Sequence, residues 1–291
     1  MLEEKLKKVV KVFQKGEITE YEIYVKIANY IKDEANKNTL LRIAEEENKH
    51  YEIWHKYTKE DVKPSKILVF YYVCVARILG YTFAIKQMEK RQNKINWDVT
   101  INEEIAREIP EAINIKKEEM VHEQKLIALL DEERLHFVGS MVLGLNDALV
   151  EFTGSLAGYS FAMQSNKLIT LAGIITGIAA TLSMASSEFL SSRADGDKDS
   201  AKSAAYTGVA YLITVVLLIL PFLLLPDNMY ALATGIMLVV AVIIIAVFNY
   251  YISVAKELSF KKRFSEMAAI SLSVSFISFI MGLVAKKFLG V

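Results

Sequence analysis

The 291-residue chain has one cysteine, Cys74. A single thiol excludes an intramolecular disulfide and any thiolate-rich zinc site. Proline is scarce, with only four in the chain, so few helix breaks are imposed by the backbone. Charge of one sign is also missing: 34 Lys and Arg balance 34 Asp and Glu. A nucleic-acid protein would show a basic excess on some face, and nothing here exceeds ordinary mixed helix surfaces. The start, MLEEKLKKVV, lacks the apolar stretch of a signal peptide, which predicts that the first domain stays in the cytoplasm.

What is present divides the chain in two, as its length suggests. The first half holds most of the charged residues and all four histidines, His50, His55, His122 and His136. From Phe137 onward, runs of Leu, Ile, Val, Ala and Gly take over. The expected domains are therefore 1–136, a helical metal-binding bundle, and 137–291, a bundle of transmembrane helices.

In the first half, apolar residues recur at three and four, the helical period. This predicts helix A over about 3–35 with Gly16 as a weak point, helix B over 37–59, and helix C over 65–92 after the Pro64-Ser65 turn. A short helix near 101–108 and helix D from Pro110 to His136 complete the set. Four long helices with short links predict an all-α four-helix bundle. Helix D runs without a linker toward the first apolar segment.

The second half carries about five segments long enough to cross a bilayer, near 137–163, 168–192, 203–225, 229–253 and 265–287. Roughly 20 helical residues suffice for that. Arg193, Lys198 and Lys202 lie in one loop, and Lys256, Lys261, Lys262 and Arg263 in another. By the positive-inside rule both loops and the N-terminal domain face the cytoplasm, and the C-terminus lies outside. Lys286 and Lys287 near that outer end run against the count.

Two segments repeat one pattern, Glu47-Asn48-Lys49-His50 and Glu119-Met120-Val121-His122. A three-residue spacing puts carboxylate and imidazole on one helical face. Doubled Glu-x-x-His motifs plus one Glu from each remaining helix make a di-iron or di-manganese carboxylate site. Glu89 is the candidate on helix C; Glu17 is preferred on helix A, with Glu20 as the alternative. Glu17 lies two turns before Tyr24, a candidate neighbour that donates to a ligand or takes part in redox chemistry. Hard carboxylates with imidazole suit first-row metals, and the ligand types do not separate Fe²⁺ from Mn²⁺. Zn²⁺ is a further occupant compatible with the set. His55 and His136 read as surface or interfacial residues. Cys74, Trp54 and the tyrosines of helix C read as packing.

Ionisable groups inside spans are costly and mark function by default. Asn146, Asp147 and Glu151 fall in the first span; Thr176, Met184 and Glu188 form a polar stripe in the second, beside Ser183, Ser187 and Ser191. The later spans are nearly free of charge, so an ion path should run between the first two. Gly144, Gly154, Gly158, Gly173 and Gly177 would let those helices pack closely.

On these residues the first half resembles the rubrerythrin-like branch of the ferritin superfamily: Glu17 with Tyr24, Glu47-x-x-His50, Glu89, Glu119-x-x-His122. The second half resembles the vacuolar iron transporter family through Gly144-Leu145-Asn146-Asp147-Ala148-Leu149 and Ser183-Met184-Ala185-Ser186-Ser187-Glu188. The fusion is similar to the membrane-bound ferritins of prokaryotes. The resemblance implies a homodimer that moves Fe²⁺ out of the cytoplasm in exchange for protons, with Asp147 and Met184 lining the path. It also implies a di-iron site, Fe²⁺/Fe³⁺, in the bundle. Eukaryotic members of that family carry a Glu-rich helical segment between spans two and three. Here that loop is only Arg193-Ala194-Asp195-Gly196-Asp197-Lys198-Asp199, which leaves to the N-terminal bundle the task of binding, sensing or oxidising iron. The alternative reading is a membrane-anchored di-iron ferroxidase or peroxidase.

Overall fold

A computed structural model describes residues 3–92, 99–118, 130 and 132–289. The described residues are helical throughout, with no strand. They form two compact units, Met1–Glu133 and Arg134–Val291.

The first unit begins with α1 (Glu4–Ala28) and α2 (Glu34–Thr58). Burial along α1 follows the three-four rhythm through Leu6, Val10, Gln14, Glu17, Glu20, Tyr24 and Ile27. Helix A was expected to reach residue 35, but it stops at Ala28. Asp33 accounts for the break, because its carboxylate accepts a hydrogen bond from Asn36 N at 2.8 Å and starts α2 there. An aspartate satisfying an otherwise orphan N–H stabilises a helix start by about 1 kcal/mol. Gly16, the expected weak point, lies inside an unbroken α1.

Helix C was expected to be continuous. It divides into α3 (Lys66–Leu79) and α4 (Tyr81–Gln92) around Gly80, whose φ of 103° is open only to glycine at low cost. The buried Glu132 carboxylate fills the space a side chain at Gly80 would need, and it accepts from Thr82 N at 3.0 Å. That bond satisfies a free N–H in the first turn of α4. α5 (Val99–Glu108) and α6 (Glu111–Glu118) follow. Ile23, Tyr24, Ile27, Leu40 and Ile43 of α1 and α2 pack with Val69, Tyr72, Ala76, Ile85 and Met88 of α3 and α4. A second cluster joins Leu6, Val10 and Trp54 to Ile105, Ile109 and Ile115. Burying each large aliphatic side chain stabilises the bundle by about 1.5–3 kcal/mol. Cys74, read as a core residue, is only half-buried.

The second unit opens with a short turn of helix, α7 (Glu133–His136), whose first residue still belongs to the first unit. Four unbroken helices among the described residues are long and apolar enough to cross a membrane: α10 (Asn166–Ala194), α11 (Ser200–Leu224), α12 (Tyr230–Ala255) and α13 (Phe260–Leu289, apolar through Val284). The fifth expected span is not one regular helix. Residues 138–163 form three contiguous pieces: α8 (Val138–Asp147), a π-helical turn (Ala148–Phe152) and α9 (Thr153–Met163). Within the turn, Thr153 N–H reaches back to Ala148 O, five residues away. Ser271 Oγ from α13 donates to Leu149 O and so meets a carbonyl of the widened turn. Such turns inside helices occur frequently at functional sites.

Small residues set the spacing of this unit, as expected where apolar burial gives helices little reason to associate. A side chain at Gly144 would strike the backbone carbonyl of Thr207, and one at Gly282 would lie 2.6 Å from Gly158 O. Gly173 and Gly177 face Leu156, Phe152, Val215 and Ile219.

Candidate functional site

In the first unit, α1 supplies Glu17, and α2 supplies Glu47 and His50 one turn apart. One ligand atom from each lies within 4.8 Å of the others, and all three residues are buried. His50 Nδ1 is 3.8 Å from Glu17 Oε2 and 3.9 Å from Glu47 Oε2. Its Nε2 is 3.3 Å from Glu118 Oε2, at the end of α6. Burial pushes the Glu17 carboxyl up, but hydrogen bonds with His50, Glu47 and Trp54 outweigh it and hold the group below its usual range. Within this trio two carboxylates meet one imidazole in an apolar setting. Buried anions require a compensating cation, so the donor set fits a divalent metal ion. Two oxygens and a nitrogen suit iron, manganese or zinc better than an alkali ion.

Neighbouring residues brace the trio. Trp54 Nε1 donates to Glu17 Oε1 at 3.0 Å. Trp54 was read as packing alone. Its position one turn after His50, on the face of Glu47, is the signal that would have found it. Tyr24 Oη donates to Glu89 Oε1 at 2.9 Å, which ties the helix C candidate to α1. Glu20 is buried but lies outside the trio, and Tyr72 is among the groups that feel its charge. Glu119 and His122 lie outside the described residues. Glu118, which precedes them and was not singled out in the sequence, makes the contact to His50. His55, read as a surface or interfacial residue, is 3.2 Å from Asp61 Oδ1 at the exposed end of α2.

In the second unit, Asp147 ends α8 and Glu151 lies in the π turn. Asp147 is half-buried, and Glu151, four residues further on, is exposed. Asn146 is half-buried beside them. Met184 packs against the cluster of Ala148, Leu149 and Phe152. Glu188, about one helical turn beyond Met184 in the stripe, accepts from Ser140 Oγ at 2.8 Å. Thr176 shares a hydrogen bond with Tyr159 at 3.2 Å. A polar cavity of about 370 Å³ opens beside Glu188, lined also by His136, Ser140, Asp195, Asp197 and Asp199. His136, read as a surface or interfacial residue, thus shares this cavity with carboxylates. Asp197 is held below the usual carboxylate range, first by the backbone N–H of Asp199 and then by Ser192.

Two family models match the chain, one on each side of residue 137. The model of the ubiquinone biosynthesis protein COQ7 matches residues 4–136. The model of the VIT family matches residues 138–201. No curated protein and no solved structure matches. The VIT match and the four candidate spans mark a multi-pass membrane protein that transports metal, and the COQ7 match implies a ferritin-like domain that binds two irons. Together the two matches liken the chain to a VIT-family transporter fused to a ferritin-like domain.

Proposed function

We propose that the protein exports Fe²⁺, with Mn²⁺ as the alternative cargo, from the cytoplasm in exchange for protons. The observation that carries this reading is the Asp147–Glu151 pair within an otherwise apolar first segment. The ion enters beside Glu188, passes Met184 and reaches Asp147, Glu151 and Asn146. A carboxylate binds a metal ion only after losing its proton, so arrival of a proton from outside releases the metal. The basic loops and the bundle then face the cytoplasm, and the C-terminus lies outside.

The same pair supports a homodimer. Glu151 is exposed on the single chain, as are Ser183, Ser186 and Ser187 of α10. A carboxylate at mid-span costs about 2.5–3.5 kcal/mol against lipid. A second copy covering this face removes that cost and closes the path.

The bundle binds the cargo metal in this reading, with Glu17, Glu47, His50, Glu89, Glu119 and His122 as the two-metal ligand set. A second reading, a membrane-anchored ferroxidase or peroxidase, draws on Tyr24 and Trp54, which donate to Glu89 and Glu17. Bound iron would supply the redox chemistry, and these side chains would hold the carboxylates in place.

The test is Fe²⁺ uptake into proteoliposomes with a pH-sensitive dye inside. Metal influx with opposite proton movement, lost in Asp147→Asn, supports the exporter. Oxygen or peroxide consumption without flux of any divalent metal supports the enzyme instead.

A further inference from the structure

Tyr211 of α11 is fully buried, yet its hydroxyl has no hydrogen-bond partner among the described residues. Buried phenols normally place their O–H on an acceptor. A phenylalanine would fill the same space, so the hydroxyl itself needs an explanation.

The register between the first segment and α11 supplies one. Thr207 Oγ1 donates to Ser140 O at 3.0 Å, and the Thr207 carbonyl abuts Gly144. Two turns further along, Val215 and Phe152 converge on the same point above Gly177. The offset is 63 residues at both contacts, so the two helices run in parallel and in step. The residue midway between Thr207 and Val215 is Tyr211, and its counterpart is residue 148. Tyr211 therefore stands opposite the stretch that begins with Asp147 and includes Glu151.

We propose that Tyr211 is a positioning residue of the transport site, whose hydroxyl donates a hydrogen bond to one carboxylate of the Asp147–Glu151 pair once a divalent cation is bound and so orients the pair around it. This rests on the proposed role of that pair. A phenol is suited to the task because it is neutral at working pH. It orients a carboxylate without cancelling the negative charge that attracts the ion, as a lysine or arginine would. Its donor also directs the accepting carboxylate's remaining lone pairs toward the cargo.

The test uses the full chain with the bundle ligands removed (Glu17→Ala/Glu47→Ala), so that Mn²⁺ binding reports the membrane half. Mn²⁺ is followed by loss of its free-ion electron paramagnetic resonance signal, with Asp147→Asn as the zero. Adding Tyr211→Phe is expected to weaken the Asp147-dependent binding by about tenfold, the scale seen when a residue supporting a metal ligand is removed. In proteoliposomes KM for the metal rises by a similar factor, while the maximal rate and the melting temperature are retained. Unchanged binding and KM in Tyr211→Phe overturn the inference and leave the exporter reading intact. A lower melting temperature with a fall in maximal rate alone also overturns it, since that marks a packing role. Absence of any Asp147-dependent Mn²⁺ binding overturns the exporter reading and this inference with it.

Discussion

The two halves use the same kind of side chain in opposite ways. In the bundle, Glu17 and Glu47 are 6% and 1% exposed and meet an imidazole, with Trp54 bracing one of them. In the membrane half, Asp147 ends α8 and Glu151 lies in the widened turn that follows, one half-buried and one exposed, with the Met184 thioether packed against the same cluster. The first arrangement fixes its ligands before the metal arrives and adds a nitrogen donor. The second has fewer donors and an open side. On the proposed function the membrane site must release its ion while the bundle site need not, and coordination number and bracing are the levers that set the difference.

The comparison can be broken first at Asp147. Asp147→Asn is expected to abolish metal flux, with initial uptake at the level of empty liposomes, while metal binding by the bundle is unchanged by calorimetry. If the bundle instead lost its metal, the two sites would not be independent. Next comes the mirror experiment. Glu47→Ala removes a buried ligand and should lower bundle affinity for Fe²⁺ or Mn²⁺ by about a hundredfold, with Asp147-dependent binding retained. A smaller effect is expected from Trp54→Phe, which keeps the ring but loses the hydrogen bond to Glu17; bundle affinity should fall about tenfold.

Two stability measurements sharpen the contrast within the first unit. Gly80→Ala forces a side chain into a left-handed conformation against Glu132 and should destabilise the unit by about 2 kcal/mol, read from chemical denaturation. The smallest effect is at Glu60. Lys11 and then Lys7 hold its carboxyl down at about 2. A depressed folded pKa stabilises above the ordinary carboxylate value of 4.5 and is lost as pH falls toward about 2. Glu60→Gln should therefore lower the melting temperature slightly at pH 6 and by much less at pH 2. The effect should shrink in high salt, because the pair is exposed.

Much of this organisation is legible in the residues, and the failures are local. The change from charged to apolar composition near residue 137 marks the passage between two units, because a bilayer tolerates few charges. Glu47 and His50 could be placed on one face from their spacing alone. Helix A was drawn too long because its apolar rhythm continues through Tyr30 and Ile31, while the cap at Asp33 outweighs that rhythm. Helix C was drawn unbroken because Gly80 sits in a pattern that reads as helix on either side. Its conformation depends on Glu132, 52 residues away in sequence.

The sequence by itself determined an all-helical chain, the division into a metal-binding half and an apolar half, and the residue types able to hold a divalent cation. Those follow from periodicity, local spacing and the cost of charge in lipid, which need no knowledge of distant contacts. Only the tertiary structure decided that Glu17 rather than Glu20 joins Glu47 and His50, that Trp54 braces Glu17, and that the first apolar segment widens at residues 148–152. It alone brought Tyr211 level with Asp147. Each of these depends on the register of one helix against another, and a shift of one residue turns a side chain by about 100° around its helix.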